Sequence, residues 1–256
     1  MPQLTIFHYI FICLAVFIAG FIDAIAGGGG LITMPAYLLI GLPSHCIIGT
    51  NKLSSSMGTI VSTTEYIRHG FVEWKSGIFS ILFTFAGAFL GSNLALLIPE
   101  NIFEIIMIIL LPVIAIYVYT HKTIENTKPP YSPRKTLILC ILCSFFVGTY
   151  DGFYGPGTGT ILILLLTGLC RLTLNQTAGT TKIINLTSDL TSLAVFVYNG
   201  KIVWALGLIA GIFSIAGNFL GARTFVKNGT KIARPIVILV LTALFAKILI
   251  EWIMGK

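Results

Sequence analysis

Apolar stretches close to the length of a membrane span recur along this sequence and constrain its fold more than any other feature. They occur at residues 74–98, 103–120, 204–220 and 236–250. A helix crosses a bilayer with about 20 consecutive apolar residues. Only 10% of the residues are charged, whereas a soluble domain carries about 25%. The chain is therefore predicted to be an all-α polytopic membrane protein embedded in a lipid bilayer.

The charge pattern narrows the classes of partner. The formal net charge is +7, and we assign the excess of Lys and Arg to loops on the cytoplasmic side of the membrane. No basic patch with interleaved aromatic residues is visible, so a nucleic-acid partner is not expected. The few acidic residues and the lack of a His/Asp/Glu cluster give no sign of a metal site, nucleophile or general base. We expect neither an enzyme nor a cofactor.

The two halves of the chain repeat one pattern of glycines and charges. The motif at 20–29, centred on an aspartate, returns at 148–157, and the Gly-Thr-x-Lys motif ending at Lys52 returns at Lys182. Two structural repeats with the binding site between them are a recurrent plan of secondary transporters. The predicted division is a first repeat at 1–120, a cytoplasmic linker at 121–135 and a second repeat at 136–256.

Each repeat contains five apolar segments, and the second is too short to span a membrane alone. The segments are 4–22, 31–42, 46–67, 74–98 and 102–120 in the first repeat and 136–150, 159–170, 176–198, 203–222 and 234–254 in the second. The short segment follows a glycine-rich break, so the first two are predicted to form a bent, re-entrant hairpin before three transmembrane helices. The Lys and Arg bias places the linker inside and both termini outside, which requires inverted repeats.

Glycine tracts open the second segment of each repeat, at 27–30 (the first glycine loop) and 155–159 (the second glycine loop). A glycine tract before a helix presents N–H groups at the positive end of the helix dipole, which favours an anion. The alternative is that these glycines only permit a sharp turn and close packing. On the anion interpretation, the substrate-binding residues are Gly28, Gly29, Gly30, Gly157, Thr158 and Gly159.

A lysine lies inside an apolar helix of each repeat. Because a lysine at the bilayer centre costs about 3 kcal/mol, Lys52 and Lys182 should face the protein interior and have a partner. Each lysine begins a polar stripe at helical spacing: Lys52, Ser55, Ser56, Thr59 and Thr63, and Lys182, Asn185, Asp189 and Ser192. The substrate-binding candidates on these stripes and beside them are Asn51, Lys52, Thr181, Lys182 and Asn185.

Two aspartates, Asp23 and Asp151, lie one turn before the glycine breaks. They are the obvious partners if Lys52 and Lys182 form structural ion pairs instead of contacting substrate. They are also candidates for taking up protons in coupled transport, or for capping the backbone that follows. An ion pair that opens to admit substrate would satisfy both interpretations of the lysines.

These motifs also resemble a known family. The run Asp23-Ala-Ile-Ala-Gly-Gly-Gly-Gly30, the run Gly49-Thr-Asn-Lys52 and the run Asp151-Gly-Phe-Tyr-Gly-Pro-Gly-Thr-Gly159 are similar to the TauE/SafE family, the bacterial sulfite-exporter-like permeases. The resemblance covers nearly the whole chain. It implies a multi-pass protein of the bacterial inner membrane that exports or imports sulfur-containing anions such as sulfite or sulfoacetate.

The function predicted first is secondary transport of a small anion, with protons as the candidate coupling ion. A tetrahedral oxyanion needs several N–H donors and one or two cations, which two glycine loops and two lysines supply. The alternative is a passive anion channel, which would use the same lining without coupled gating. Neither the particular anion, the direction of transport nor the oligomeric state is predicted.

Overall fold

A computed structural model describes residues 4–120 and 129–229 of the chain. The predicted tenth apolar segment, at 234–254, and most of the predicted linker at 121–135 lie outside the described residues. Within them every regular element is a helix, so the prediction of an all-α polytopic protein is confirmed.

The helix bounds follow the predicted apolar segments closely. In the first half the helices are α1 Ile6–Ala26, α2 Gly30–Leu39, α3 Ser44–Arg68, α4 Trp74–Leu97 and α5 Glu100–Thr120. In the second half they are α6 Pro133–Phe153, α7 Thr158–Gly168, α8 Leu174–Tyr198 and α9 Trp204–Asn228. The description therefore covers five helices of the first half and four helices of the second half.

The second helix of each half is short, as predicted. Helix α2 has 10 residues and α7 has 11, so each is about 15 Å long, or half the hydrocarbon thickness of a bilayer. Each packs back on the helix before it, α2 on α1 and α7 on α6. The turns use glycines at positive φ, 72° at Gly27 and 79° at Gly157, where a side chain would be strained. The depth of these hairpins in the membrane stays a prediction.

The polarity of the bundle is arranged with polar helices inside and apolar helices outside. In the described part of the chain, α1, α4, α6 and α9 are long and apolar enough to cross a membrane. Helices α3 and α8 have 25 residues each but carry the polar stripes, and most of their residues are buried. Large apolar side chains exposed on the outer helices include Ile78, Leu82, Phe85 and Phe89 on α4 and Leu208, Ile212 and Ile215 on α9. Such surfaces suit contact with lipid.

The two halves of the chain pack against each other through their outer helices. Helix α4 packs along α6, and α9 packs along α1, so the fourth helix of each half lies on the first helix of the other. Glycines make both contacts close, because a Cβ at Gly91 would collide with the Thr149 carbonyl oxygen and a Cβ at Gly221 with the Phe21 carbonyl oxygen. Small residues of this kind are typical of close contacts between membrane helices. The inverted orientation of the two repeats stays a prediction.

Candidate functional site

The two glycine loops contact each other in the interior of the bundle. A Cβ on Gly27 would collide with the backbone of Gly159 and Thr160, and a Cβ on Gly159 would lie 2.8 Å from the Cα of Gly27. The Thr160 hydroxyl donates to the Ala26 carbonyl oxygen over 3.1 Å. Both short helices, α2 and α7, therefore begin at one central point, where their first amides lie close together.

Beside the loops, Lys52 is held by two carboxylates from the other half of the chain. Its Nζ lies 2.6 Å from Asp151 on α6 and 2.9 Å from Asp189 on α8. The second oxygen of Asp189 accepts from the Ser55 hydroxyl over 2.6 Å and from Thr59 over 3.5 Å. All three charged side chains are less than 10% exposed. We call Lys52, Asp151 and Asp189 the acidic triad.

The second lysine has one carboxylate partner. The Nζ of Lys182 donates to the carboxylate of Asp23 over 2.5 Å and to the backbone carbonyl oxygen of the same residue over 2.6 Å. The other carboxylate oxygen of Asp23 accepts from the Gly29 N–H over 3.2 Å. Asp23 thus neutralises a lysine and fixes the first glycine loop at once. Both ion pairs join one half of the chain to the other.

A central cavity lies between the loops and the acidic triad, and the centres of water-sized molecules can occupy about 40 Å³ of it. One water molecule needs about 10–15 Å³ of such space, so the cavity has room for a few water molecules or one small ligand. Its lining includes Gly28, Gly30, Asn51, Lys52, Gly157, Thr158, Gly159, Asn185, Asp23, Asp151 and Asp189. Most of the residues predicted from the two repeats therefore meet around one space.

A second pocket adjoins the central cavity. It shares Asp23, Gly30, Asn51 and Ser55 with the cavity and continues to Ser214 and Asn218 on α9. Gly29, a predicted site residue that does not line the central cavity, lines this second pocket. The pocket carries the polar lining beyond the central cavity, along α1, α3 and α9.

Two predicted substrate-binding residues lie elsewhere. Lys182 and Thr181 are buried on α8 but do not line the central cavity, because Lys182 reaches instead to Asp23. The sequence treated the two lysines as equivalent, and the described structure separates them.

The charged residue of this site that the sequence prediction did not include among its candidates is Asp189. It was visible as the third member of the stripe that begins at Lys182, since an acidic residue in an apolar helix is costly without a partner. Its equivalent in the first half is Thr59, at the offset of 130 residues that aligns the lysines. The search for repeated motifs therefore passed over it.

The comparison of this chain with known proteins gives a match over most of its length. The family model of the sulfite exporter TauE/SafE matches residues 12–248. The chain belongs to the TauE/SafE family. This confirms the resemblance seen in the sequence, and the match includes both glycine loops and both lysines.

Relatives in the TauE/SafE family cover nearly the same length. A probable membrane transporter protein of Haemophilus influenzae is 37% identical over 92% of each chain. The probable membrane transporter protein ORF9 of Sinorhizobium sp is 35% identical over 96% of this chain and 94% of its own. The probable membrane transporter protein YfcA of Escherichia coli is 31% identical over 91% of this chain. No solved structure matches the chain.

Proposed function

We propose that this protein is a secondary transporter of a small anion, a sulfur-containing oxyanion or sulfonate such as sulfite or sulfoacetate, in the bacterial inner membrane. The observation that carries the proposal is the central cavity, which is lined by the starts of two broken helices and by a buried lysine. Broken helices that meet inside a bundle are the usual substrate site of transporters built from repeats.

The donors around the cavity suit an oxyanion. Backbone N–H groups at the starts of α2 and α7 point along the positive ends of two helix dipoles. The Asn51 and Asn185 side chains line the same space and carry amide donors. The three oxygens of a sulfite or sulfonate group would be satisfied by such a set without a metal ion.

The charges impose a condition on anion entry. In the described structure Lys52 and Lys182 each form an ion pair with at least one carboxylate. The triad beside the cavity has two carboxylates for one ammonium. An anion that enters the cavity next to Lys52 must therefore replace a carboxylate contact or arrive when a carboxylate is neutral. This requirement favours a coupled transporter over a passive anion channel.

Flux into proteoliposomes tests the proposal. Purified protein is reconstituted, and uptake of sulfite, sulfoacetate, sulfate and chloride is measured with and without an imposed pH gradient. Protein-free vesicles are the control. Saturable uptake that accumulates an anion against its own gradient supports the transporter. Ohmic current that only dissipates the anion gradient supports the channel, and no flux of any anion contradicts both.

A labelling experiment tests the proposed membrane topology. The linker at 121–135 is expected on the cytoplasmic side, with the two repeats in opposite orientations. A single cysteine at Lys128, on a cysteine-free background, should be labelled by a membrane-impermeant thiol reagent only after the cells are opened. Labelling in intact cells would overturn the orientation.

A further inference from the structure

The charge count in the acidic triad does not balance. Lys52 contributes one positive charge, and Asp151 and Asp189 contribute two negative charges. Among residues 4–120 and 129–229, no second cation contacts either aspartate, because Lys182 is occupied by Asp23. An uncompensated charge buried away from water is costly, and one bound proton would make the triad neutral.

The hydrogen bonds distinguish the two carboxylates as proton acceptors. One oxygen of Asp189 faces the Ser55 hydroxyl over 2.6 Å. A hydroxyl both donates and accepts hydrogen bonds, whereas an ammonium only donates. If a proton binds to this oxygen of Asp189, Ser55 turns from donor to acceptor and the contact is kept without any movement. The contact of Asp151 is with the ammonium of Lys52, 2.6 Å away, and this arrangement has no such reversal.

A second observation points to a ligand that carries a proton. Asn185 lies one turn before Asp189 on α8, lines the central cavity and is only 7% exposed. Its side-chain oxygen is buried and has no hydrogen-bond partner. A buried acceptor without a partner loses about 1–3 kcal/mol. A ligand that offers an O–H group, such as a water molecule delivering a proton or a protonated oxyanion, would satisfy this oxygen.

We propose that Asp189 is the proton-binding residue of this protein and that one proton enters the site with each anion. The proton comes from a hydronium ion in the water of the cavity: one of its O–H bonds breaks, an O–H bond forms on the oxygen of Asp189 that faces Ser55, and a neutral water molecule remains. Among the described residues, Asp151 is then the one charged partner of Lys52. The local charge rises by one as the anion arrives.

A proton on Asp189 would interact with the polar and charged groups that face Asp189 from the neighbouring helices. They are Lys52, Ser55 and Thr59 from α3 and Asp151 from α6, with Asp23 and Tyr154 on the same cavity wall. Two contacts of Asp189, with Ser55 and Thr59, are hydroxyl groups, which can accept a hydrogen bond from the protonated acid as well as donate one to the carboxylate.

The proton site is tested without reference to transport. Infrared difference spectra of the purified protein are recorded between mildly alkaline and mildly acidic pH. Wild-type protein should gain the carbonyl band of a protonated carboxyl group in a buried setting. Asp189→Asn should lose this band, and the matched variant Asp23→Asn should keep it. A band that survives in Asp189→Asn, or is absent from the wild type, overturns the proposal, as does a spectral change that follows sodium instead of pH.

A second variant and a flux measurement complete the test. If Asp189→Asn does not fold, Asp189→Thr introduces the residue that the first half has at the equivalent position. In proteoliposomes with sulfite as the probe, the variant should lose the component of uptake driven by the pH gradient. Uptake still driven by that gradient overturns the coupling. The coupling rests on the proposed function, so loss of the infrared band without sulfite flux in wild-type protein would support the proton site and contradict sulfite transport.

Discussion

The two halves of this protein share a scaffold but differ in charge. Lys52 and Lys182 occupy equivalent positions, and each is paired with an aspartate from the other half. Only Lys52 has a second carboxylate, since Asp189 is matched by Thr59 in the first half. One ion pair is neutral, while the other carries an excess negative charge beside the cavity. The repeat accounts for the fold, and the departures from it account for the proposed chemistry.

The same contrast holds for neighbouring positions. Asn51 is equivalent to Thr181, and Asn185 is equivalent to Ser55. Asn51, Ser55 and Asn185 line the central cavity, whereas Thr181 does not. The cavity is therefore built unequally from equivalent positions, although both glycine loops contribute to it.

The largest effect is expected from removal of the lysine of the triad. Lys52→Met leaves Asp151 and Asp189 buried without a cation, which should cost about 3–5 kcal/mol of unfolding free energy. Lys182→Met leaves only Asp23, whose side chain is 20% exposed and still bonded by the Gly29 N–H, so its loss should be smaller. Thermal unfolding in detergent measures both. Equal losses would show that the two lysines have equivalent environments.

A large effect is also expected where the halves agree, at the contact between the glycine loops. Gly27→Ala combines a left-handed backbone, worth about 1–2 kcal/mol, with a collision against Gly159, worth about 1–3 kcal/mol. Gly41→Ala is the matched control, because its φ of 74° is similar but no atom lies within 4 Å of the added Cβ. Thermal unfolding should show a clear loss for Gly27→Ala and a small one for Gly41→Ala. Equal losses would contradict the loop contact.

Rescue by a second substitution should separate the two ion pairs. Lys182→Met with Asp23→Asn removes a neutral pair and should recover most of the stability lost by Lys182→Met. Lys52→Met with Asp151→Asn still leaves Asp189 unpaired, at a residual cost of about 1–3 kcal/mol. Adding Asp189→Asn as a third substitution should restore the remaining unfolding free energy, measured by thermal unfolding. Full rescue without the third substitution, at a mildly alkaline pH where the protonated-carboxyl band is absent, would argue against the triad.

The smallest effect is expected on affinity. Asn185→Ser introduces the residue of the equivalent first-half position and replaces the amide by a shorter hydroxyl, which weakens one hydrogen bond to the anion. A hydrogen bond to a charged group contributes about 1.5–3 kcal/mol, so a partial loss of up to about 1.5 kcal/mol should raise the sulfite dissociation constant by up to roughly 10-fold. Ligand-dependent thermal stabilisation measures it. Asn175→Ser, at an exposed position of the same helix, should leave affinity unchanged.

Much of this architecture could be predicted because helices that cross a membrane need long apolar segments, which are visible in the sequence. The apolar segments gave the helices within a few residues, and the glycine loops marked both breaks. The pairing of charges could not be predicted, since Asp23 with Lys52 in one half was as consistent with the repeat as the observed exchange between halves. Asp189 was passed over for a related reason, because its equivalent is Thr59 and a search for shared positions does not weigh a unique one.

The exchange of ion pairs between the halves has a consequence for biosynthesis. Lys52 is separated by 137 residues from Asp189, and ribosomes add roughly 5–20 residues per second. The first helices thus enter the membrane several seconds before the native partners of Lys52 exist. Glu65 and Glu73 are nearer to Lys52 along the chain, but among the described residues Asp23 is the one acidic residue of the first half that lines the central cavity with Lys52. The nascent first half is therefore expected to hold a temporary Asp23–Lys52 pair, which is exchanged for two native pairs when the second half inserts.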